Sequence, residues 1–462
     1  MENLPVELGQ RILAYLDLDT LRNAALSCRR FLEAFTGAQD LIVGEILLRE
    51  IHPDVLPEAL LVNISWNHGA PSVEKAIQFA RENIRRREPV SSKWHFIDAF
   101  PLVKFHEKVR YLAAQAADDA FRRHPRLTTM GQPNLPSPEE LRRFERTLYR
   151  FQLYCNVIGG FLPDDPNDLE DMFFDHFATW ENEQLACIQE HLMRLVAKPF
   201  NYLVDHDVTW GYLKVPYIDR HGSDEARAVL SEGIDKIYRL AQASTYEQYH
   251  ALLSRGEDRF SEPLRLAVFV DYGIEKGANP LFPPFLPLEE LNDEDKRFVI
   301  SKPFYNDPDP GPASMWEWVY RDFFPGELVG SPFMRVFRQW AFPLWDHSRL
   351  TTTGILGDSD IPGDLINSEL EFEEYCIPSR LEFLEQTQNA RTEIWKMAGH
   401  GWYNHKDKRR IEYTPFDIDP SLQFNYIKPN TLEAAKAFWA GYRDYVQQSE
   451  TWNAARANSD GG

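Results

Sequence analysis

The chain has 462 residues, of which 43% are hydrophobic and 13% aromatic, enough apolar material for a large core and against general disorder. Its 71 acidic side chains outweigh 50 basic ones, and a formal charge of −21 argues against nucleic acid and membrane surfaces as partners. The four cysteines (Cys28, Cys155, Cys187, Cys376) have no metal or redox spacing, and no apolar run approaches the roughly 18 residues of a membrane span.

Met1 to Pro5 have neither the basic nor the apolar region of a secretory signal, so the expected location is cytoplasmic and/or nuclear. On that reading the Asn63-Ile64-Ser65 sequon is an accident of composition.

The first segment carries the strongest signals. Pro5 suits a first helical turn and Glu7 the positive end of a helix dipole. Leu8, Ile12 and Leu16 recur at i, i+4 and i+8 as one apolar stripe, with Leu13 beside it. Asp17 is placed to cap a second short helix carrying Leu21, Ala24, Ala25 and Leu26. Ser27 is placed to cap a third, with Cys28, Phe31, Leu32 and Phe35 on one face and Gly37 as its stop.

Downstream, helical patterns are expected over 44–50, 73–87, 103–123, 138–154, 169–196, 224–243, 246–255, 313–324, 335–342, 379–398 and 431–450. Arg85-Arg86-Arg87 reads as the charged end of the second of these. Residues 266–270 fit a buried strand or a helix equally. The Pro- and Gly-containing stretch 128–138 is the best internal boundary, and 31 prolines imply long loops on a helical frame. No leucine-rich, WD, kelch or tetratricopeptide period recurs.

Leu4-Pro5-Val6-Glu7-Leu8, then Ile12-Leu13-Ala14-Tyr15-Leu16-Asp17, Leu21, and Leu26-Ser27-Cys28-Arg29-Arg30-Phe31 together resemble the F-box. Leu26 stands where that family commonly has valine, which keeps an aliphatic group. The motif ends at Phe31 and is silent about the remainder. The helix around Trp180 is similar to helices of fungal-type F-box proteins without leucine-rich or WD repeats.

Three helices of this length fall below the roughly 40 residues at which isolated cores fail, so either the remaining chain or a partner must cover their apolar side chains. The resemblance implies docking on a Skp-type adaptor, which joins a cullin and a RING subunit in a ubiquitin ligase. It places Leu4, Pro5, Leu8, Ile12, Leu16 and Leu21 on or beneath the adaptor surface, and Leu26, Ser27, Arg30 and Phe31 in the third-helix contact. The expected function is recruitment of a protein target, with no catalytic residue, cofactor or metal of its own; the alternatives are an adaptor-bound structural or regulatory protein without ligase targets, and an enzyme or ligand-binding body with an F-box-like start.

The expected fold is mainly α: a three-helix F-box over 1–40, a helical segment over 41–127 and an irregular helical body with Pro-rich loops over 139–453. A disordered tail is expected over 454–462.

The remaining clusters of polar and aromatic residues fit solvated loops or core filling. His400 and His405 lack a carboxylate or thiolate to complete a metal site, and Asp205-His206-Asp207 near Asp219 and His221 reads as loop residues. Trp180, Cys187 and His191 share a helical face, with Glu181, Glu183 and Gln184 expected on its solvated side. The aromatic groups at 315–324 and 340–345, and Phe438, Trp439, Tyr442, Tyr445 and Trp452, read as core filling. No nucleophile elbow, phosphate loop or His-Glu-x-x-His motif occurs.

Overall fold

The structure, a computed structural model, describes residues 4–66, 73–84, 94–127, 135–157, 173–174, 176–207, 229–253, 303–321 and 332–357. The strand candidate at 266–270, the helices expected at 379–398 and 431–450, Arg85 to Arg87, Asp219, His221, Cys376, the pair His400 and His405, the C-terminal aromatic stripe and the tail at 454–462 lie outside them. So do the side chains of Asp205, His206 and Asp207.

The protein is mainly helical, and no strand occurs among the described residues. They fall into two compact units. The first holds the described residues up to Ile188 together with 303–321 and 338–357; the second holds 189–207, 229–253 and 332–337.

The first unit opens with α1 (Val6–Ala14), α2 (Leu18–Ser27), α3 (Arg29–Gly37) and α4 (Gln39–Glu50). Pro5 is the N-cap residue of α1, and Asp17 caps α2 as expected, its carboxylate accepting from Thr20 N at 2.6 Å. Those hydrogen bonds hold the Asp17 carboxyl below its ordinary range. The third cap differs from expectation. Cys28, in extended backbone, precedes α3, and the Ser27 hydroxyl donates back to Ala24 O at 2.7 Å, so Ser27 ends α2. Arg49 of α4 donates to Ala14 O (2.7 Å) and Leu16 O (2.5 Å), satisfying carbonyls that the end of α1 leaves open.

Next come α5 (Leu56–Trp66), α6 (Val73–Phe79, ending in a π-turn), α7 (Phe96–Arg123) and α8 (Pro138–Val157). Helix α7 begins well before the expected 103 and contains Pro101. Pro101 lies near its N-terminus on the exposed face, where water can take the carbonyl that loses its N–H partner. Ser137 and Glu140 form a reciprocal capping box at α8: Ser137 Oγ accepts from Glu140 N (3.1 Å) and Glu140 Oε2 from Ser137 N (2.7 Å). Helices α5, α7 and α8 pack on one another; α4 packs on α1 and α7, and α2 also meets α7.

Helix α9 (Thr179–Asp207) overturns the expectation of a solvated acidic side. Glu181, Glu183 and Gln184 are buried, because each meets a buried hydrogen-bond partner. Arg150 Nη2 donates to Glu58 (3.0 Å) and Glu181 (2.8 Å), and Arg338 Nε donates to Glu183 (2.6 Å). Tyr320 O–H also donates to Glu183, at 3.0 Å, and Gln184 Nε2 to Pro343 O, at 2.9 Å. Glu181 also accepts from Phe304 N (2.6 Å) and Tyr305 N (3.1 Å), which straps 303–310 onto the helices. Asp307 of that strap receives Arg143 (2.7 Å) and Arg146 (3.1 Å), and Arg143 reaches Asp346 at 2.6 Å.

Helix α10 (Ile234–Gln242) and α11 (Tyr246–Leu253) belong to the second unit and pack together. Gly233, at φ +81°, makes the turn into α10, and Ile237 and Leu240 continue its buried face. Helix α12 (Gly311–Tyr320) packs on the 3₁₀ turn Phe342–Leu344 and on α14 (His347–Thr352), with α13 (Pro332–Gln339) between them in sequence. The aromatic groups of 315–320 and 340–345 are core, as expected: Trp316, Tyr320, Trp340 and Trp345 are buried.

Two buried imidazoles are neutral. Desolvation, with the Arg110 charge second, lowers His106 to about 4 from an ordinary 6.5. Desolvation and the Arg349 and Arg126 charges lower His124 to about 3, and its Nδ1 accepts from the backbone N–H groups of Arg126 and Leu127. The unfolded chain therefore binds the extra protons, and stability from these groups is full above 6.5 and lost as pH falls toward 4 and then 3.

Glu145 opposes them. Burial raises it to about 7 from 4.5, against the pull of Arg110, Arg142 and Arg146, so its contribution is lost as pH rises between those values. Glu145→Gln is expected to make the melting temperature fall more steeply, or rise less, from pH 7 to pH 5 than it does in the unmodified chain. A flat profile in both proteins would contradict the assignment.

Candidate protein-docking surface

Helix α1 is apolar on two faces. Gly9, Leu13 and Ala14 turn inward, and Gly9 lies against α3, where a Cβ added to it would meet Ala34 Cβ at 3.4 Å, an ordinary van der Waals contact. The stripe read from periodicity is the outward one. Leu8 is 47% exposed and Ile12 43%, and Tyr15 extends the row at i+7. Leu16, at its end, is half-buried.

At the start of α1, Leu4 (half-buried), Pro5 (exposed) and Val6 line a small hollow with the half-buried Arg30 and Phe31 of α3. At the junction of α2 and α3, Leu26 is 65% exposed, Leu32 is exposed, and Ser27 faces solvent. Leu21 is fully buried and lies at the floor of a cleft beside Leu26. Of the ten residues named from sequence, nine thus have surface in this chain and Leu21 has none.

The structure adds Tyr15, Val6 and Leu32 to this surface. The signal for Tyr15 was its i+7 spacing from Leu8. Among the described residues, most exposed large apolar side chains fall between Val6 and Leu48, the last of them Leu41 and Leu48 on α4. Leu8, Ile12 and Tyr15, which share one helical face, form an exposed apolar row of the kind that marks an interaction surface.

The module is fastened from beneath. Lys104 of α7 donates to Asp19 of α2 (2.6 Å) and to Glu107 (2.9 Å), hydrogen bonds that raise its ammonium above the ordinary range. Leu13, Leu18 and Leu21 are buried among the chain's own helices. A preformed scaffold of this kind presents side chains without first having to order them.

Among the described residues no group of three or more His, Cys, Asp or Glu side chains is placed to hold a metal ion. None of their helices is long and apolar enough to cross a membrane.

No curated protein and no solved structure matches the chain. A family model described as F-box-like matches residues 1–37, the span of α1 to α3, and F-box domains generally bind Skp-type adaptors. The N-terminal helices of this chain, with their outward apolar row, are an F-box-like domain.

Proposed function

We propose that the chain is the substrate-recruiting F-box subunit of a Skp–cullin–F-box ubiquitin ligase. The observation that carries this reading is the row of exposed apolar side chains, Leu8, Ile12 and Tyr15, on the first helix of the F-box-like segment. The adaptor covers that row and links the chain to the cullin and RING subunits, in the cytoplasm and/or the nucleus. The helical body holds a protein target near the ubiquitin-loaded enzyme. Its contribution is positioning, which raises the effective concentration of the target's lysines without any catalytic group of its own.

Affinity purification of the intact chain from its own cells tests this. Adaptor, cullin and RING subunit are expected together, and one or more proteins are expected to lose ubiquitination and accumulate when the chain is deleted. Recovery of the adaptor without a cullin, and with no protein stabilised by the deletion, would instead indicate a structural or regulatory partner of the adaptor.

A further inference from the structure

The cleft beside Leu26 is not built by the F-box-like segment alone. It measures about 430 Å³, within the range of clefts that hold a compact ligand or several side chains. Leu21, Ala25 and Phe35 form its floor, while Leu26 and Leu32 stand at its rim. The opposite wall comes from the first turn of α7, far outside residues 1–37: Phe96 packs edge-on against Phe35 with ring centroids 6.5 Å apart, and Ile97 is 78% exposed. Gln39 and His95, hydrogen-bonded at 2.8 Å, close one end.

We infer that this cleft is a second adaptor-docking subsite, in which the first turn of α7 completes a wall that the F-box-like segment lacks. It rests on the adaptor reading proposed above. The occupant is an amphipathic segment of the same Skp-type adaptor, with apolar side chains in the cleft and a carboxylate at its edge.

Two observations favour that occupant. The rim residues Leu26 and Leu32 belong to the segment that matches the F-box-like model, and domains of that kind generally bind Skp-type adaptors. The charged side chain lining the cleft is Arg22, exposed, with no carboxylate partner among the described residues, although the chain as a whole carries −21. A cation left open on an acidic protein selects an acidic segment, and this complementarity sets register and encounter rate more than affinity.

The test uses the full chain and a purified Skp-type adaptor, with binding measured by calorimetry. Ile97→Asp changes an exposed residue in the first turn of α7, where a carboxylate suits the helix dipole, so the fold should persist. It is expected to weaken adaptor binding by about tenfold or more, the loss typical of a truncated or repelled interface anchor. Arg22→Glu is expected to weaken it less and to flatten its salt dependence.

Wild-type binding with unchanged affinity in both variants would overturn this inference alone. A wild type that binds no adaptor would overturn the docking reading and this inference together. Unchanged adaptor affinity with loss of a target protein from Ile97→Asp would assign the cleft to the target, and so also overturn it.

Discussion

Replacing Arg150 with alanine is expected to destabilise the first unit by about 3–5 kcal/mol, the loss found when one member of a buried ion pair is removed. Its guanidinium is 2% exposed and meets two carboxylates that are equally sequestered, Glu58 and Glu181. Without it, Glu181 loses its ion-pair partner and Glu58 keeps only the charge of Arg146. Burial already pushes the Glu58 carboxyl up, so Glu58 would take a proton, whereas Glu181 must still hold the N–H groups of Phe304 and Tyr305.

The strap at 303–310 should therefore loosen with the helices. Arg150→Met combined with Glu58→Gln and Glu181→Gln should lose much less, because no uncompensated charge remains. Arg142→Ala is the control. Its pair with Glu139 lies at the surface, where such contacts contribute roughly 0–1 kcal/mol. Thermal melts followed by near-UV circular dichroism would separate the three; equal melting temperatures for Arg150→Ala and Arg142→Ala would contradict the network.

The second large effect concerns docking. Ile12→Asp is expected to weaken adaptor binding by about a hundredfold or more, since it removes an apolar anchor and places an unpaired charge where water is excluded. Because Ile12 is already 43% exposed and points away from Leu13 and Gly9, the melting temperature should barely move. Leu8→Asp should behave alike.

Leu21→Ala should do the reverse in its primary effect. Leu21 is fully buried, so truncation opens a cavity that costs about 2–5 kcal/mol. Any loss of adaptor binding there would follow from the module loosening. Pull-down yields compared with melting temperatures for the three variants distinguish contact from scaffold.

Much of the N-terminal module was legible because its signals are local. The Asp17 cap, the stop at Gly37 and the i, i+4 spacing of Leu8 and Ile12 each involve residues within a turn or two of one another. Which face looks outward was not legible: both Leu8–Ile12 and Gly9–Leu13 are apolar pairs, and only the packing of α3 and α4 decides between them. The same limit hid Ile97, which sits beside Leu26 only because α7 folds back on α2.

Distance in sequence explains the largest misreading. Glu181 and Glu183 look like a solvated helix face until Arg150 and Arg338 are brought to them from 31 and 155 positions away. Helix α7 shows a different limit, a proline that propensity reads as a boundary but that an exposed N-terminal position tolerates.

On the proposed function, the apolar row on α1 is the surface that the adaptor covers. Titrating the purified full-length chain with a purified Skp-type adaptor tests it most directly. Saturable one-to-one binding with a negative heat-capacity change, abolished or strongly weakened by Ile12→Asp in a folded protein, is the result expected of apolar burial at that surface. No binding by the folded wild type, or binding that Ile12→Asp leaves unchanged, would contradict it.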